Sequence, residues 1–363
     1  MSMLVPDFWA EGRAQSRAGQ RQLTVRRFGW SMVGQDDAQR MADERAQAAL
    51  TRVLAGERLA RRDRKVPYNG ADGVPIREQV VSRHGDEMIT RNSYGALCLN
   101  TPRVLIADVD RPEVALRSWW FIWLPLCSLS IALVMGVFWR FWPAPLSCAR
   151  SASGFLEGLA ALGGRAALAV AAIGAALAVL AVIGVLADWV DRRRRRAARD
   201  ADEQPGGWWE SSLHRVRAFA AAHPDWGLRI YRTPAGRRLI VTHRTFSAED
   251  PAVTEFFQAV QADPLYVAMC RHQHCFRARL TGKPWRMGIE EHLKPRPGVW
   301  PVAPESVPAR DAWLAAYDAR ARSFAACRFE AALGPPAQPL DVAVVVDLHD
   351  SLSQARKPEL TLA

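Results

Sequence analysis

The chain has 363 residues, of which 49% are hydrophobic and 23% are charged, and its formal net charge is +11. That length accommodates one or two domains with a sizeable core, and the composition excludes both a disordered chain and a transporter with many spans. The positive charge favours an anionic partner, such as a lipid head group, a nucleic acid or a phosphorylated small molecule. Arginine-rich usage of this kind is equally typical of a GC-rich genome.

The N-terminus and the cysteines indicate the compartment. Residues 1–20 contain Asp7 and Glu11, lack the basic-then-apolar pattern of a signal peptide, and are expected to be irregular. The scattered cysteines form no dense disulfide framework, which predicts a reducing environment for the soluble parts. There are six of them: Cys98, Cys127, Cys148, Cys270, Cys275 and Cys327.

Residues 1–66 are predicted to form a strand and an amphipathic helix. Leu23–Trp30 has the β-branched and aromatic residues of a short strand. A helix is predicted after Asp36 as N-cap, with Gln39 three residues later and apolar residues every three or four positions. The basic run at its end, over 58–65, is typical of a solvated face.

Residues 67–116 are predicted to be the first part of a cytosolic α+β domain. Ile76–Ser82 and Glu87–Arg91 read as two strands on either side of a Gly-Asp turn. Val104–Asp110 then reads as a buried strand that ends in two acids.

Two long apolar runs predict a transmembrane hairpin over 117–191. The predicted spans, 119–139 and 166–187, are each about 20 residues long and would cross the roughly 30 Å hydrocarbon core at about 1.5 Å per residue. Tryptophans cluster at the ends of both runs, where interfacial aromatic residues are expected. Alanines at four-residue spacing in the second run predict helix–helix self-association.

The basic linker over 192–207 sets the predicted orientation. Its residues Arg192, Arg193, Arg194, Arg195 and Arg196 outnumber the arginines of the loop between the spans. The positive-inside bias therefore predicts an inner-membrane protein with two spans and both termini in the cytoplasm. The same arginine run is expected to contact the anionic lipids of the bilayer.

The second part of the α+β domain is predicted over 208–363. Its elements follow the strand at 104–110 in the order helix, strand, strand, helix, strand, at 210–222, 227–231, 238–242, 251–262 and 275–280. This is the order of a ferredoxin-like (split βαβ, RRM-like) domain, with the transmembrane hairpin inserted in its first crossover. Residues 342–350 fit either a strand or a helix.

Asp108 and Asp110 are the strongest candidates for a functional site in the sequence. Alternation on a strand places both carboxylates on one face, with Cα atoms about 6–7 Å apart. Two acids beyond an apolar strand are able to bind Mg or Mn and to orient phosphates. The alternative is that these acids cap the strand and pair with arginines.

At Val104–Asp110 the chain resembles the archaeo-eukaryotic primase and primase-polymerase superfamily. That family carries hydrophobic-Asp-hydrophobic-Asp on a strand of an RRM-like core, which matches Asp108 and Asp110. The resemblance implies metal-dependent binding of a nucleotide or nucleic acid and a third carboxylate, for which Asp347 is the candidate. The family's second motif has a histidine where this chain has Arg238, which implies a relative without polymerase activity.

Basic residues on the later strands are predicted to bind the phosphates of that ligand. An equal alternative is that they neutralise the two focal acids. The candidates are Arg232, Arg238, His243, Arg277 and Arg279.

A run of thiols and imidazoles offers the ligand types of a zinc site. Its spacing fits neither CxxC nor HxxxH, so zinc is disfavoured and buried structural cysteines are the favoured interpretation. The run comprises Cys270, His272, His274 and Cys275, with Cys327 as a distant fifth candidate.

The sequence thus predicts an integral membrane protein whose cytosolic domain binds a phosphate-bearing ligand, a nucleotide or nucleic acid, with a divalent metal. The alternative is a non-catalytic, membrane-anchored interaction or scaffolding module. Catalysis is left open, since the chain contains no P-loop, GxGxxG, GxSxG or HExxH motif.

Overall fold

The computed structural model describes residues 3–18, 21–63, 74–75, 77–112, 178, 181–296, 298–336 and 338–363. Contacts divide the chain into two units. One unit combines Met1–Arg111 with Trp209–Ala363, and the other is Pro112–Trp208.

The first unit is a mixed α+β structure. Its strands are β1 (Phe8–Ala18), β2 (Arg21–Ser31), β3 (Gln79–His84), β4 (Glu87–Arg91), β5 (Leu97–Thr101), β6 (Ile106–Asp110), β7 (Leu228–Arg232), β8 (Gly236–Val241), β9 (Phe276–Arg279), β10 (Phe324–Ala325), β11 (Arg328–Leu333) and β12 (Thr361–Leu362). Its α-helices are α1 (Gln35–Leu54), α2 (Trp208–Ala222, which starts at the last residue of the other unit), α3 (Pro251–Val260), α4 (Pro264–Gln273), α5 (Val307–Ala321) and α6 (Leu340–Ser353).

Strands β1 and β2 form an antiparallel hairpin that is covered by α1. The hairpin pairs from Phe8↔Ser31 to Ala18↔Arg21, so the expectation of an irregular segment over 1–20 is wrong. Small residues explain the close packing, because α1 presents a stripe of buried alanines at helical spacing. That stripe is Ala38, Ala42, Ala46 and Ala49.

Two glycines let the hairpin approach the helix backbone. A Cβ atom at Gly29 would lie 2.2 Å from the carbonyl oxygen of Ala38, and one at Gly12 would lie 2.2 Å from that of Ala42. Both distances are far inside van der Waals contact, and the opposing atoms belong to the backbone, which has little freedom to move away.

We therefore expect Gly29→Ala to lower the free energy of unfolding by about 1–3 kcal/mol or more, because it overpacks this interface. Urea denaturation followed by circular dichroism measures the change. Gly184→Ala is the matched control, since a Cβ there meets nothing within 4 Å. Equal stability of the two variants would contradict the close approach.

Two four-stranded antiparallel sheets make up most of the remaining strands. One sheet has the order β3-β4-β5-β9, and the other has the order β11-β7-β8-β6. The predicted strand at 104–110 corresponds to β6, which pairs with β8 in the register Asp108↔Arg238.

The predicted ferredoxin-like fold is wrong. Its last strand, β9, pairs with β5 in the other sheet, from Cys98↔Arg279 to Thr101↔Phe276. The edge beyond β7 is filled instead by β11, which the prediction lacked. These pairings join strands that are far apart in sequence, which local residue patterns do not encode.

No helix in the described part of the chain is long and apolar enough to cross a membrane. This finding contradicts the predicted integral membrane protein with two spans and its inner-membrane location, and both are withdrawn. The first predicted span, 119–139, and residues 166–177 and 179–180 of the second lie outside the described residues.

The described helix of the second unit covers 181–203, and most of its residues from Asp191 onward are charged. Arg192–Arg196 are exposed on it. Arg192 forms an ion pair with Asp188, and the guanidinium of Arg193 lies 5.3 Å from the ring centroid of Trp189.

Candidate functional site

The site is built on the ladder between β6 and β8, where Asp108 lies opposite Arg238. Nε of Arg238 donates to Oδ1 of Asp108 at 2.9 Å, and the Arg238 side chain is only 3% exposed. Burial acts to lower the pKa of Arg238, but the Asp108 carboxylate outweighs it and the pKa is raised. Arg238 is therefore a fixed positive charge inside the domain.

Helix α6 places a histidine against this arginine. Val342, Val345, Val346 and His349 follow each other at helical spacing and are all buried, so they form the inner face of α6. Nε2 of His349 lies 3.4 Å from Nη1 of Arg238. The imidazole is completely buried and meets the ring of Tyr231 edge-on at 4.8 Å.

Cys327 lies on the other side of the same imidazole nitrogen. Its Sγ atom is 3.7 Å from Nε2 of His349 and 3.5 Å from Oγ of Ser353. Burial acts to raise the pKa of the Cys327 thiol, but His349 and then Arg238 act against it, and the net pKa is lowered. The other described cysteines differ in this respect, as shown below.

Asp350 orients the imidazole from its far side. Its Oδ1 atom lies 3.0 Å from Nδ1 of His349, while Oδ2 accepts from Arg229 at 2.9 Å and from Arg356 at 3.1 Å. Burial acts to raise the pKa of Asp350, but His349, Tyr231 and Arg229 lower it overall. Asp350 is thus an anchored carboxylate that favours a proton on Nδ1 of His349.

The charge of His349 follows from these neighbours. Burial acts to lower its pKa and Arg238 does the same, but Cys327 and Asp350 outweigh both, and the pKa is raised. A thiol, an imidazole and a carboxylate in this order have the arrangement by which proteins activate a nucleophile. The charged form of this arrangement is a Cys327 thiolate beside a His349 imidazolium.

The predicted metal ligands are placed as follows. Asp108 is paired with Arg238, as the alternative interpretation of the sequence had it. Asp110 is exposed at the end of β6, and Asp347 is exposed on the outer face of α6, away from His349. Among the described residues, no group of three or more His, Cys, Asp or Glu side chains is arranged to hold a metal ion. Binding of Mg or Mn stays a prediction.

Asp263 is a further acid whose charge acts on Asp110, and no motif in the sequence marks it. Asp263 donates its backbone N–H to the carbonyl of Asp108 at 2.9 Å and caps α4 through its side chain. Asp110 keeps part of its surface in water, but partial loss of water, followed by the charges of Asp108 and Asp263, raises its pKa to about 6, although Lys283 and Arg238 oppose the rise.

This pKa gives a pH dependence with a definite sign. Between its ordinary pKa of 3.8 and about 6, Asp110 binds a proton more tightly in the folded chain than in the unfolded chain. The stability contributed by this group therefore falls as pH rises through that window. We expect Asp110→Asn to raise the urea midpoint at about pH 7 but not at about pH 4. Asp347→Asn, at an exposed carboxylate, is the control, and equal effects of both changes at about pH 7 would contradict the expectation.

The predicted phosphate-binding residues are mostly occupied by partners within the chain. Arg277 forms a buried ion pair with Glu78, and Arg279 donates to the carbonyls of Thr281 and Ala363. Arg232 packs its guanidinium 4.1 Å from the ring centroid of Trp209. The structure brings only Arg238 of this set to Asp108, and binding of phosphate by the set stays a prediction.

His243 lies apart from that site, on the aromatic cluster below α3. Its ring packs 4.8 Å from Trp226 and 5.5 Å from Phe246. Burial, followed by the charge of Arg244, lowers the pKa of His243. This histidine is a packing residue.

The predicted zinc candidates do not converge. Cys270 and Cys275 are buried, His272 is exposed on α4, and His274 pairs with Glu249. Burial raises the pKa of Cys275 to about 12 and raises that of Cys270 as well. For both of these buried thiols, loss of water is the largest influence on the pKa.

Comparison with protein-family models, with curated proteins and with solved structures finds no match for this chain. The resemblance to the primase superfamily therefore stays a prediction.

Proposed function

We propose that the chain is a peroxide-reactive thiol protein in which Cys327 is the nucleophile. The observation that carries the proposal is the order of three side chains, Cys327, His349 and Asp350, with separations of 3.7 Å and 3.0 Å. Only a thiolate attacks, and a neighbouring imidazolium raises the fraction of thiolate at neutral pH.

Burial selects the size of the substrate. Cys327 and His349 are both 0% exposed, so a side chain of another protein has no direct path to the sulfur. Hydrogen peroxide is close to water in size, and small fluctuations of the packing suffice to admit it. The proposed substrate class is therefore hydrogen peroxide.

The reaction balances with the groups present. The Cys327 thiolate attacks one oxygen of the peroxide, the S–O bond forms, and the O–O bond breaks. The leaving hydroxide takes the proton from Nε2 of His349 and departs as water. Cys327 ends as a sulfenic acid, oxidised by two electrons, and the peroxide is reduced by two electrons.

Dimedone trapping tests the proposal. The folded chain is treated briefly with a small molar excess of hydrogen peroxide, the peroxide is removed, and the chain is unfolded in urea with dimedone, because the buried sulfur of the folded chain is closed to a reagent of that size. Peptide mass spectrometry is expected to find the dimedone adduct at Cys327. Cys98, Cys270 and Cys275 are matched internal controls, because they are also buried but have pKa values raised by burial. An adduct on those three with none on Cys327, or no adduct at all, would refute the proposal.

A further inference from the structure

A second feature, on helix α5, is a buried arginine without a hydrogen-bond partner. Arg310 is 1% exposed, and its Nε, Nη1 and Nη2 atoms all lack a hydrogen-bond partner in the structure. Burying a guanidinium without a partner is strongly unfavourable, because the charge loses its water and gains nothing in return. Such a group calls for an explanation.

The other buried arginines show what is missing. Within the described residues, each of the six others forms an ion pair with a carboxylate. The pairs are Arg27 with Asp63, Arg91 with Asp318, Arg229 with Asp350, Arg237 with Glu330, Arg238 with Asp108, and Arg277 with Glu78. Arg310 is the exception to this pattern, so the missing partner is an oxyanion.

The surroundings of Arg310 also favour an anion. The residue lies in the first turn of α5, whose N-cap residue Ser306 makes no side-chain capping bond. The N-terminal end of a helix carries partial positive charge, which adds to the charge of the guanidinium. Burial, followed by the charge of Arg91, lowers the pKa of Arg310, and an anion there would relieve both effects.

The guanidinium is also held in place before any ligand arrives. Its Cζ atom lies 5.5 Å from the ring centroid of Trp300, a cation–π distance. Trp300 is fixed in turn, because its carbonyl accepts from Nε of Arg77 at 3.0 Å. A fixed planar fork of N–H donors matches the two oxygens of a phosphate or a carboxylate.

We propose that Arg310 is the anchor of a binding site for a small oxyanion, a phosphate or carboxylate group. The near-complete burial of the side chain excludes an extended macromolecular surface as the ligand. The site is independent of the Cys327 chemistry, so failure of either proposal leaves the other standing.

Thermal denaturation of the full chain tests the site with inorganic phosphate, with acetate and with chloride at equal ionic strength. A ligand that binds only the folded state raises Tm progressively with its concentration. We expect phosphate or acetate to raise Tm, and chloride not to do so. The anion that gives the larger rise in Tm identifies the class of oxyanion.

Arg310→Met is the decisive variant, because it keeps an unbranched apolar stem and removes the charge and the N–H donors. It is expected to abolish the specific rise in Tm, and to leave Tm in chloride unchanged or higher, since an unpaired buried charge has been removed. Arg322→Met, at the exposed other end of α5, is expected to behave like the unmodified chain.

Three results would overturn the proposal. The first is an equal Tm in phosphate, acetate and chloride. The second is a rise in Tm, specific to phosphate or acetate, that persists in Arg310→Met. The third is a large fall in Tm of Arg310→Met in chloride, which would mean that the guanidinium is satisfied within the chain.

Discussion

Replacing His349 with glutamine is expected to slow oxidation of Cys327 by hydrogen peroxide at about pH 7 by about tenfold or more. The imidazole is the group that lowers the pKa of this thiol against the effect of burial. Glutamine fills similar space and keeps a polar end, but it brings no positive charge. The remaining effect of burial then raises the pKa, and the thiolate fraction falls.

The rate is measured residue by residue, by mass spectrometry of the Cys327 peptide. Ser353→Ala is the matched control, because Oγ of Ser353 also contacts the sulfur, at 3.5 Å, but carries no charge. We expect that variant to change the rate only slightly. If both variants slowed oxidation equally, packing around the sulfur would account for the effect, and the imidazole would have no special role.

Replacing Arg277 with methionine is expected to lower the free energy of unfolding by about 3–5 kcal/mol. The change leaves Glu78, which is 6% exposed, as a buried carboxylate without its counter-charge. One hydrogen bond to Glu78 remains, from Oγ1 of Thr90 at 2.7 Å, and a single neutral donor does not replace an ion pair.

Urea denaturation measures this loss in the free energy of unfolding. Two further variants show whether the unpaired buried charge causes it. Adding Glu78→Gln to Arg277→Met is expected to restore much of the stability, since no unpaired charge is then buried. Arg52→Met breaks an exposed pair with Glu57 and is expected to change stability by less than about 1 kcal/mol. A loss in Arg277→Met no larger than that in Arg52→Met would contradict the buried pair.

Several local features of the chain were predictable from its sequence, but the β1–β2 hairpin and the long-range pairings were not. The apolar run ending at Asp110 does form a strand, and the alternative that Asp108 pairs with an arginine is what the structure contains. The sheet to which β9 belongs depends on β5, more than 170 residues earlier, and β9 itself carries no signal of that partner.

The candidate site was missed for a specific geometric reason. Residues 342–350 fitted a strand or a helix equally well, and on a strand Asp347 and His349 would share a face. On the helix that forms, α6, two residues two positions apart are separated by about 200° around the axis. His349 therefore turns inward to Cys327 and Arg238, while Asp347 faces outward. The spacing of Val342, Val345, Val346 and His349 was the signal available in the sequence.

The most direct test of the account is the pH dependence of Cys327 oxidation by hydrogen peroxide in the unmodified chain. The rate follows the thiolate fraction, so its midpoint reports the pKa of this thiol. The account predicts a midpoint below the ordinary value of about 8.5, and well below those of Cys98 and Cys275 in the same sample. A Cys327 midpoint as high as theirs would contradict an activated thiolate.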